Sequence, residues 1–312
     1  MPSLISKMAF VRLSAPDLSR MEAFLLDFGM ITAHRDERRL YMRGIGADPY
    51  LHVTELGPPG VISCAYQVDD EEVLKRLVRS GDASEIVTLD GPGGGKSAHL
   101  RDPNGCWIEL VCGREPAEPV ARRPAVRPPD GISKMSGSAR VVRIAHTACM
   151  TPNLAPTIAW YQDKLKVIPT DELYIGTRDK VLGQFNRVDL GEELVDHHIV
   201  FILRGAAAGL HHVSFEVEGP DDIFFGFSHL EHGGYDHVRG IGRHALGSQI
   251  FDYWMSPFNQ MHEHWYASEK MNASSGMGYI QIGEGMTHDT GEKPPERFTK
   301  QATPYVGWPV MA

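Results

Sequence analysis

Two histidines and a glutamate stand where their side chains could share one cavity. His146 lies in the string RIAHTA, His212 follows 66 residues later in GLHHVSFEV, and Glu263 sits in MHEHWY. Two imidazoles and one carboxylate on one side of a metal leave open positions on the other. That arrangement suits non-haem Fe(II), which must hold dioxygen and a second ligand together, and Mn(II) accepts the same donors. Any one of these residues alone is more often a core or surface filler than a ligand. Glu263, between His262 and His264, could equally be a solvent-facing strand residue. Their joint placement carries the weight.

The elements that must position them repeat along the chain, and such repeats bear on the fold before any single segment does. Setting MAFVRLSAPDL, from Met8, against RIAHTACMTPNL, from Arg143, puts Phe10 on His146, Pro16 on Pro152 and Leu18 on Leu154. Each reads as a strand, a short turn with a helix-capping candidate (Asp17 or Asn153), and a helix with apolar residues at helical spacing. A second start of the same kind occurs in each half, at ISCAYQVDDEEVL from Ile62 and HHVSFEVEGPDDI from His211. Each half closes on a loop and strand, DPNGCWIELV from Asp102 and SPFNQMHEHWY from Ser256. The expected fold is α+β, with four β-α-β-β-β modules, two per domain. His146 and His212 then occupy the first strands of the third and fourth modules, and Glu263 the last strand of the fourth. Side chains alternate along a strand, so His262 and His264 should point away from Glu263.

The expected boundaries are 1–113 for a first domain, 114–138 for a linker, 139–268 for a second domain and 269–312 for a tail. The linker, REPAEPVARRPAVRPPDGISKMSGS, is rich in Pro, Arg and small residues and lacks apolar periodicity. The same alignment matches His146, His212 and Glu263 to Phe10, Ser63 and Glu109 in the first half, which should therefore hold no metal.

RIAHTA, GLHHVSFEV, GRH followed after nine residues by Tyr253, and Pro257 spaced by five residues from Glu263 resemble the type I extradiol dioxygenases of the vicinal oxygen chelate superfamily. The resemblance runs from about residue 5 to about residue 268. It implies two tandem vicinal oxygen chelate (glyoxalase/bleomycin resistance-like) domains, with His146, His212 and Glu263 as ligands of Fe(II), or of Mn(II). It also implies a small aromatic diol and O2 as partners, and a homo-oligomer. The diol would be a substituted catechol or a hydroxylated one, of the trihydroxytoluene or dihydroxy-cumate type. His197 matches the family's acid-base histidine, with His198 as its rival. Spacing favours His197, because it lies 15 residues before His212 without a gap and falls where the 66-residue module offset carries Glu263. His244 and Tyr253 match residues that contact substrate and dioxygen-derived oxygens. Ala148 and Ser214, two residues beyond each ligand histidine, should face the same cavity and set its width. The alternatives are a 4-hydroxyphenylpyruvate dioxygenase-like enzyme of the same superfamily, and a binding or resistance protein, with or without metal.

The rest of the chain is consistent with such an enzyme. A chain of 312 residues suits one or two domains, and 42% hydrophobic with 23% charged residues is ordinary for a globular protein. A net charge of -9 argues against nucleic acid as a partner. No stretch approaches the ~18 apolar residues of a membrane span, and MPSLISKMAF lacks a signal-peptide pattern, so a cytoplasmic location is expected. Four cysteines without paired short spacing should be reduced and buried. GPGGGKS, from Gly91, imitates a phosphate loop but has Asp90 where the motif needs glycine, and it leads into a strand.

Overall fold

The computed structural model of the chain describes residues 2–122, 137–283, 290–291 and 293–308. Strand β1 (Lys7–Ala15), α1 (Leu18–Asp27), β2 (Ile31–Arg35), β3 (Arg39–Arg43) and β4 (His52–Leu56) form the first module. The second is β5 (Gly60–Gln67), α2 (Glu71–Arg79), β6 (Val87–Thr88), β7 (Lys96–Arg101) and β8 (Trp107–Cys112). In the second half, β9 (Val141–Thr151), α3 (Leu154–Leu165), β10 (Ile168–Tyr174), β11 (Val181–Arg187), β12 (Val195–Asp196) and β13 (Val200–Arg204) form the third. The fourth is β14 (Gly209–Val217), α4 (Pro220–His232), β15 (Asp236–Arg243), β16 (Ile250–Met255) and β17 (Met261–Tyr266). Beyond them lie β18 (Lys270–Met271), β19 (Gly278–Gln281) and the single-turn α5 (Glu296–Thr299).

The two large sheets share one plan. Their orders are β2-β3-β4-β1-β5-β8-β7-β6 and β15-β16-β17-β14-β9-β13-β11-β10-β19. In each, the first strands of two modules meet antiparallel at the centre, and each pairs in parallel with the last strand of its own module. The sheet curls around that seam, and the α+β architecture of four modules is as expected. Helices pack on the convex side, where Leu18, Met21, Phe24 and Leu25 of α1, and Leu154, Tyr161 and Leu165 of α3, are buried. No helix among the described residues is long and apolar enough to cross a membrane.

Local chemistry explains the helix starts. Asp17 caps α1 by accepting from the Arg20 amide at 3.0 Å, and Asp70 caps α2 through Val73 at 3.1 Å. Asn153 makes no such bond. Its third helical residue is Pro156, which has no N–H to offer, and Thr151 Oγ1 instead accepts the Asn153 amide at 2.9 Å. The Gly91 segment is a turn into β7, with Gly93, Gly94 and Gly95 at positive φ, a backbone shape that suits glycine.

Residues 123–136 of the expected linker lie outside the described residues. The part from 114 to 122 lies along the first half, where Glu115, Ala117 and Val120 donate backbone bonds to Gly93, Ala47 and Ile45. Of the tail, 293–308 crosses back over both halves. Thr303 exchanges backbone bonds with Leu210, while Val61 donates to Pro304 and accepts from Val306.

Strand β17 joins the halves. His262 and His264 point away from Glu263, as alternation demands, and are buried against the first half. The His264 ring stacks on Phe28 at 3.7 Å and its Nε2 donates to the Phe28 carbonyl at 2.7 Å. His262 Nε2 is 3.3 Å from His52 Nε2, and the Gln260 amide donates to the carbonyls of Ser14 and Gly60.

Candidate metal centre

Register brings the three donors together. On the central seam His146 pairs with Ser214 and Ala148 with His212, and Ser214 pairs on its other side with Glu263. His146 and Glu263 thus flank one row of the sheet and His212 stands one step along. A register shift between Leu210 and His212 makes His211 an extra residue in the strand, and such a bulge re-aims neighbouring side chains. His146 Nε2 and His212 Nε2 lie 3.2 Å and 3.5 Å from Glu263 Oε2, and 3.3 Å from each other. One donor atom from each falls within 4.8 Å of the other two, and all three residues are buried.

The electrostatics suit a cation. Glu263 Oε2 is buried without a hydrogen bond of good geometry. Burial alone would raise this carboxyl, but the His146 and His244 rings pointing at it, with His212 close by, hold it well below the usual carboxylate range. Burial, the largest effect on His212, keeps that ring neutral with its pKa well below 6.5, and it likewise holds His211 at about 4. An ionised carboxylate and neutral imidazole among crowded donor atoms form a set that fits a divalent ion.

Around the triad lies a cavity of about 370 Å³. Tyr253 pairs with Glu263 across β16 and β17, and its hydroxyl is 2.9 Å from His244 Nε2. His244 stacks on Phe251 and comes within 3.7 Å of Glu263 Oε1. Leu173, Phe185, Phe201 and Phe298 supply apolar walls.

The preference for His197 over His198 is corrected. The His198 ring lies 4.1 Å from that of His146 and lines the cavity, whereas His197 turns away to Asp171, with Nε2 2.7 Å from Oδ2. The 66-residue offset fails here because the third module inserts β12, which pairs with β18 outside the main sheet. The chain rejoins the main sheet through the Ile199 amide, bonded to Asn186, and that turn swings His198 inward. Ala148 and Ser214 are corrected as well. Ser214 pairs with both His146 and Glu263 and Ala148 with His212, so they share the donors' face of the sheet, but both are buried and neither is among the residues that line the cavity.

Three residues escaped the sequence. Arg239 lines the cavity, buried, with Nε and one terminal nitrogen lacking a hydrogen-bond acceptor among the described residues. A lone arginine within the strand DHVRGIGR was the available signal. His211 and Phe298 border the site too, and nothing in the sequence of the tail pointed to Phe298.

In the first half Phe10, Ser63 and Glu109 occupy the matching rows, since Phe10 pairs with Ala65, Arg12 with Ser63 and Ala65 with Glu109. Arg12, at the position of Ala148, fills the cup. Its Nε is 2.9 Å from Glu109 Oε1, and Ser63 donates to the same oxygen. A guanidinium stands where the other half gathers donors for a metal.

Residues 143–253 match the family described as Glyoxalase/Bleomycin resistance protein/Dioxygenase superfamily. The matched stretch lies within the second half and takes in His146 and His212. The chain is 25% identical over 281 residues to Metapyrocatechase 2 of Cupriavidus necator, covering 87% of this chain and 81% of that one. Its fold is that of homoprotocatechuate 2,3-dioxygenase from Brevibacterium fuscum, with a TM-score of 0.83 at 18% identity over 98% of this chain and 95% of that one. The Mn(II)-bound glyoxalase from Novosphingobium aromaticivorans is similar too, with a TM-score of 0.79 at 21% identity over 94% of both chains. The chain thus has the fold that these two solved structures share.

Proposed function

We infer that the protein is an extradiol ring-cleaving dioxygenase that opens a substituted catechol with O2. The observation that supports this most is the meeting of His146, His212 and Glu263 beneath an apolar cavity, with His198, His244 and Tyr253 around it. His146, His212 and Glu263 would hold Fe(II), or Mn(II) in its place. Such an ion would supply a meeting place for diol and dioxygen and a path for electrons from ring to oxygen.

The chain's own groups do the rest. Burial keeps His198 neutral, well below 6.5, so its ring can take a proton from a diol hydroxyl. Its Nδ1 faces His197 Nδ1 at 3.0 Å, which leaves Nε2 for the substrate. His198 later returns that proton to oxygen as the O–O bond breaks. Burial holds the Tyr253 hydroxyl well above its ordinary value, so it stays a neutral donor beside His244. Both orient toward oxygen as it gains charge. Both atoms of O2 enter the product, a ring-opened 2-hydroxymuconic semialdehyde type of compound, and no outside reductant is consumed. Phe185 and Phe201, stacked at 3.9 Å, exclude water.

Arg239 narrows the substrate. It lies two strands from Glu263, about 10 Å across the sheet, and stacks on Phe251 and Phe298. A buried cation with no acceptor among the described residues favours a ring that brings an acidic group, as a dihydroxy-cumate type does and a trihydroxytoluene does not. The test is anaerobic loading with Fe(II), then air and a panel of catechol, 3-methylcatechol, a trihydroxytoluene and a carboxylated catechol. Yellow ring-opened product, with the highest kcat/KM on the carboxylated ring, is expected. Silence on the whole panel, with turnover of a glutathione hemithioacetal, would replace this function with that of a glyoxalase.

A further inference from the structure

His211, the extra residue of the β14 bulge, joins the ligand His212 to the C-terminal segment. Its Nε2 lies 2.8 Å from the Phe298 carbonyl oxygen and its Nδ1 2.7 Å from His212 Nδ1. A carbonyl can only accept, so the His211 proton sits on Nε2. In a neutral imidazole this leaves Nδ1 bare, able only to accept from an Nδ1–H on His212. His212 Nε2, the atom facing His146 and Glu263, is then left with its lone pair directed at the centre.

We infer that His211 and the main-chain carbonyl of Phe298 set the tautomer and ring orientation of His212, so that the C-terminal segment is a working part of the metal centre. This rests on His212 being a metal ligand. The segment is held for the task. Arg297 bonds both carboxylate oxygens of Asp236, at 2.7 Å and 2.9 Å, and the His237 carbonyl. The Phe298 ring meets His211 and Tyr253 edge-on at 4.7 Å and 4.8 Å. Thr303 pairs with Leu210, the residue just before His211. In the first half Tyr305 of the tail pairs with Val61, in parallel where Thr303 pairs antiparallel, and the next residue is Ile62, which has no ring nitrogen to relay. Of these two pairings, only the one beside the donor triad carries a relay.

Outer partners of a metal-bound histidine typically change metal affinity by about 10–100-fold when removed. The test strips the full-length chain of metal and titrates it anaerobically with Co(II), reading affinity and the visible Co(II) spectrum. His211→Phe, a flat ring without the relay, should bind about 10–100-fold more weakly with a shifted spectrum. His211→Gln, which can accept from His212 and donate to Phe298, should restore most of both. Wild-type affinity and spectrum in His211→Phe would overturn the inference. Should that variant not fold by circular dichroism, Arg297→Ala decides. This change at a half-exposed residue frees the segment, and weaker binding with an altered spectrum supports the coupling while unchanged binding overturns it. A wild-type chain that takes up no Co(II) would count against the metal site itself, a separate outcome.

Discussion

His198 reaches the cavity because the chain leaves the sheet at β12 and re-enters at Ile199, and its neighbour His197 is taken up by Asp171. A proton carrier contributes roughly 10²–10⁴-fold to a rate. His198→Asn should therefore lower kcat by about that factor while metal content stays at the wild-type level. His197→Asn should keep kcat within about tenfold and act mainly through stability, through its lost bond to Asp171. Steady-state kinetics with metal analysis on both variants check this, and equal losses in the two would contradict the placement. The donor triad was legible in the sequence because His146 and His212 fall on the first strands of repeated modules and Glu263 on the last strand of the second of them. The choice between His197 and His198 was not, since a two-residue strand outside the sheet breaks the repeat there. Arg239 escaped because nothing in a strand's sequence tells whether an arginine will find a partner.

Strands β1, β5 and β8 build in the first half the cup that β9, β14 and β17 build in the second, and the difference lies in what fills it. Arg12 bonds Glu109 and also Glu55, at 2.8 Å. Burial would raise the Glu109 carboxyl, but the charge and hydrogen bonds of Arg12, with Ser63, hold it below its ordinary 4.5. Removing one partner of a buried pair leaves an uncompensated charge, so Arg12→Met should cost roughly 3–5 kcal/mol, and Glu109→Gln added to it should recover a good part. The folded-state pKa is depressed, so the pair contributes fully above pH 4.5 and is lost as pH falls through the folded value. Urea melts of both variants at pH 7 measure the effect. A single variant as stable as wild type would show the pair to be dispensable. The helix starts at Asp17 and Asp70 were readable from residue type alone, while the missing cap at Asn153 follows from Pro156 two residues into α3.

The two halves meet through residues that alternate with Glu263. His262 and His264 sit in the contact between halves, and burial lowers each to about 4 and holds their neighbour His52 well below 6.5. Depressed histidines are neutral in both states above pH 6.5, so stability is full there. Below 6.5 the unfolded chain takes up protons that the folded chain refuses, and stability falls until about pH 4. The fall should be on the order of 3 kcal/mol for each of His262 and His264 across that window. Unfolding free energies at pH 7, 5.5 and 4.5 should show it, and a flat profile would contradict the buried, neutral contact. The duplication predicted two halves, but the contact surface and the returning C-terminal segment depend on which faces meet in space, which periodicity does not encode. The central claim, that His146, His212 and Glu263 hold the metal on which ring cleavage depends, is tested most directly by His212→Ala. Metal content and ¹⁸O incorporation from labelled dioxygen into the ring-opened product are measured beside wild type. The wild-type chain should hold one metal ion and place both labelled atoms in the product, and the variant should lose metal and cleavage together. Full ring cleavage by a His212→Ala chain without bound metal would contradict it.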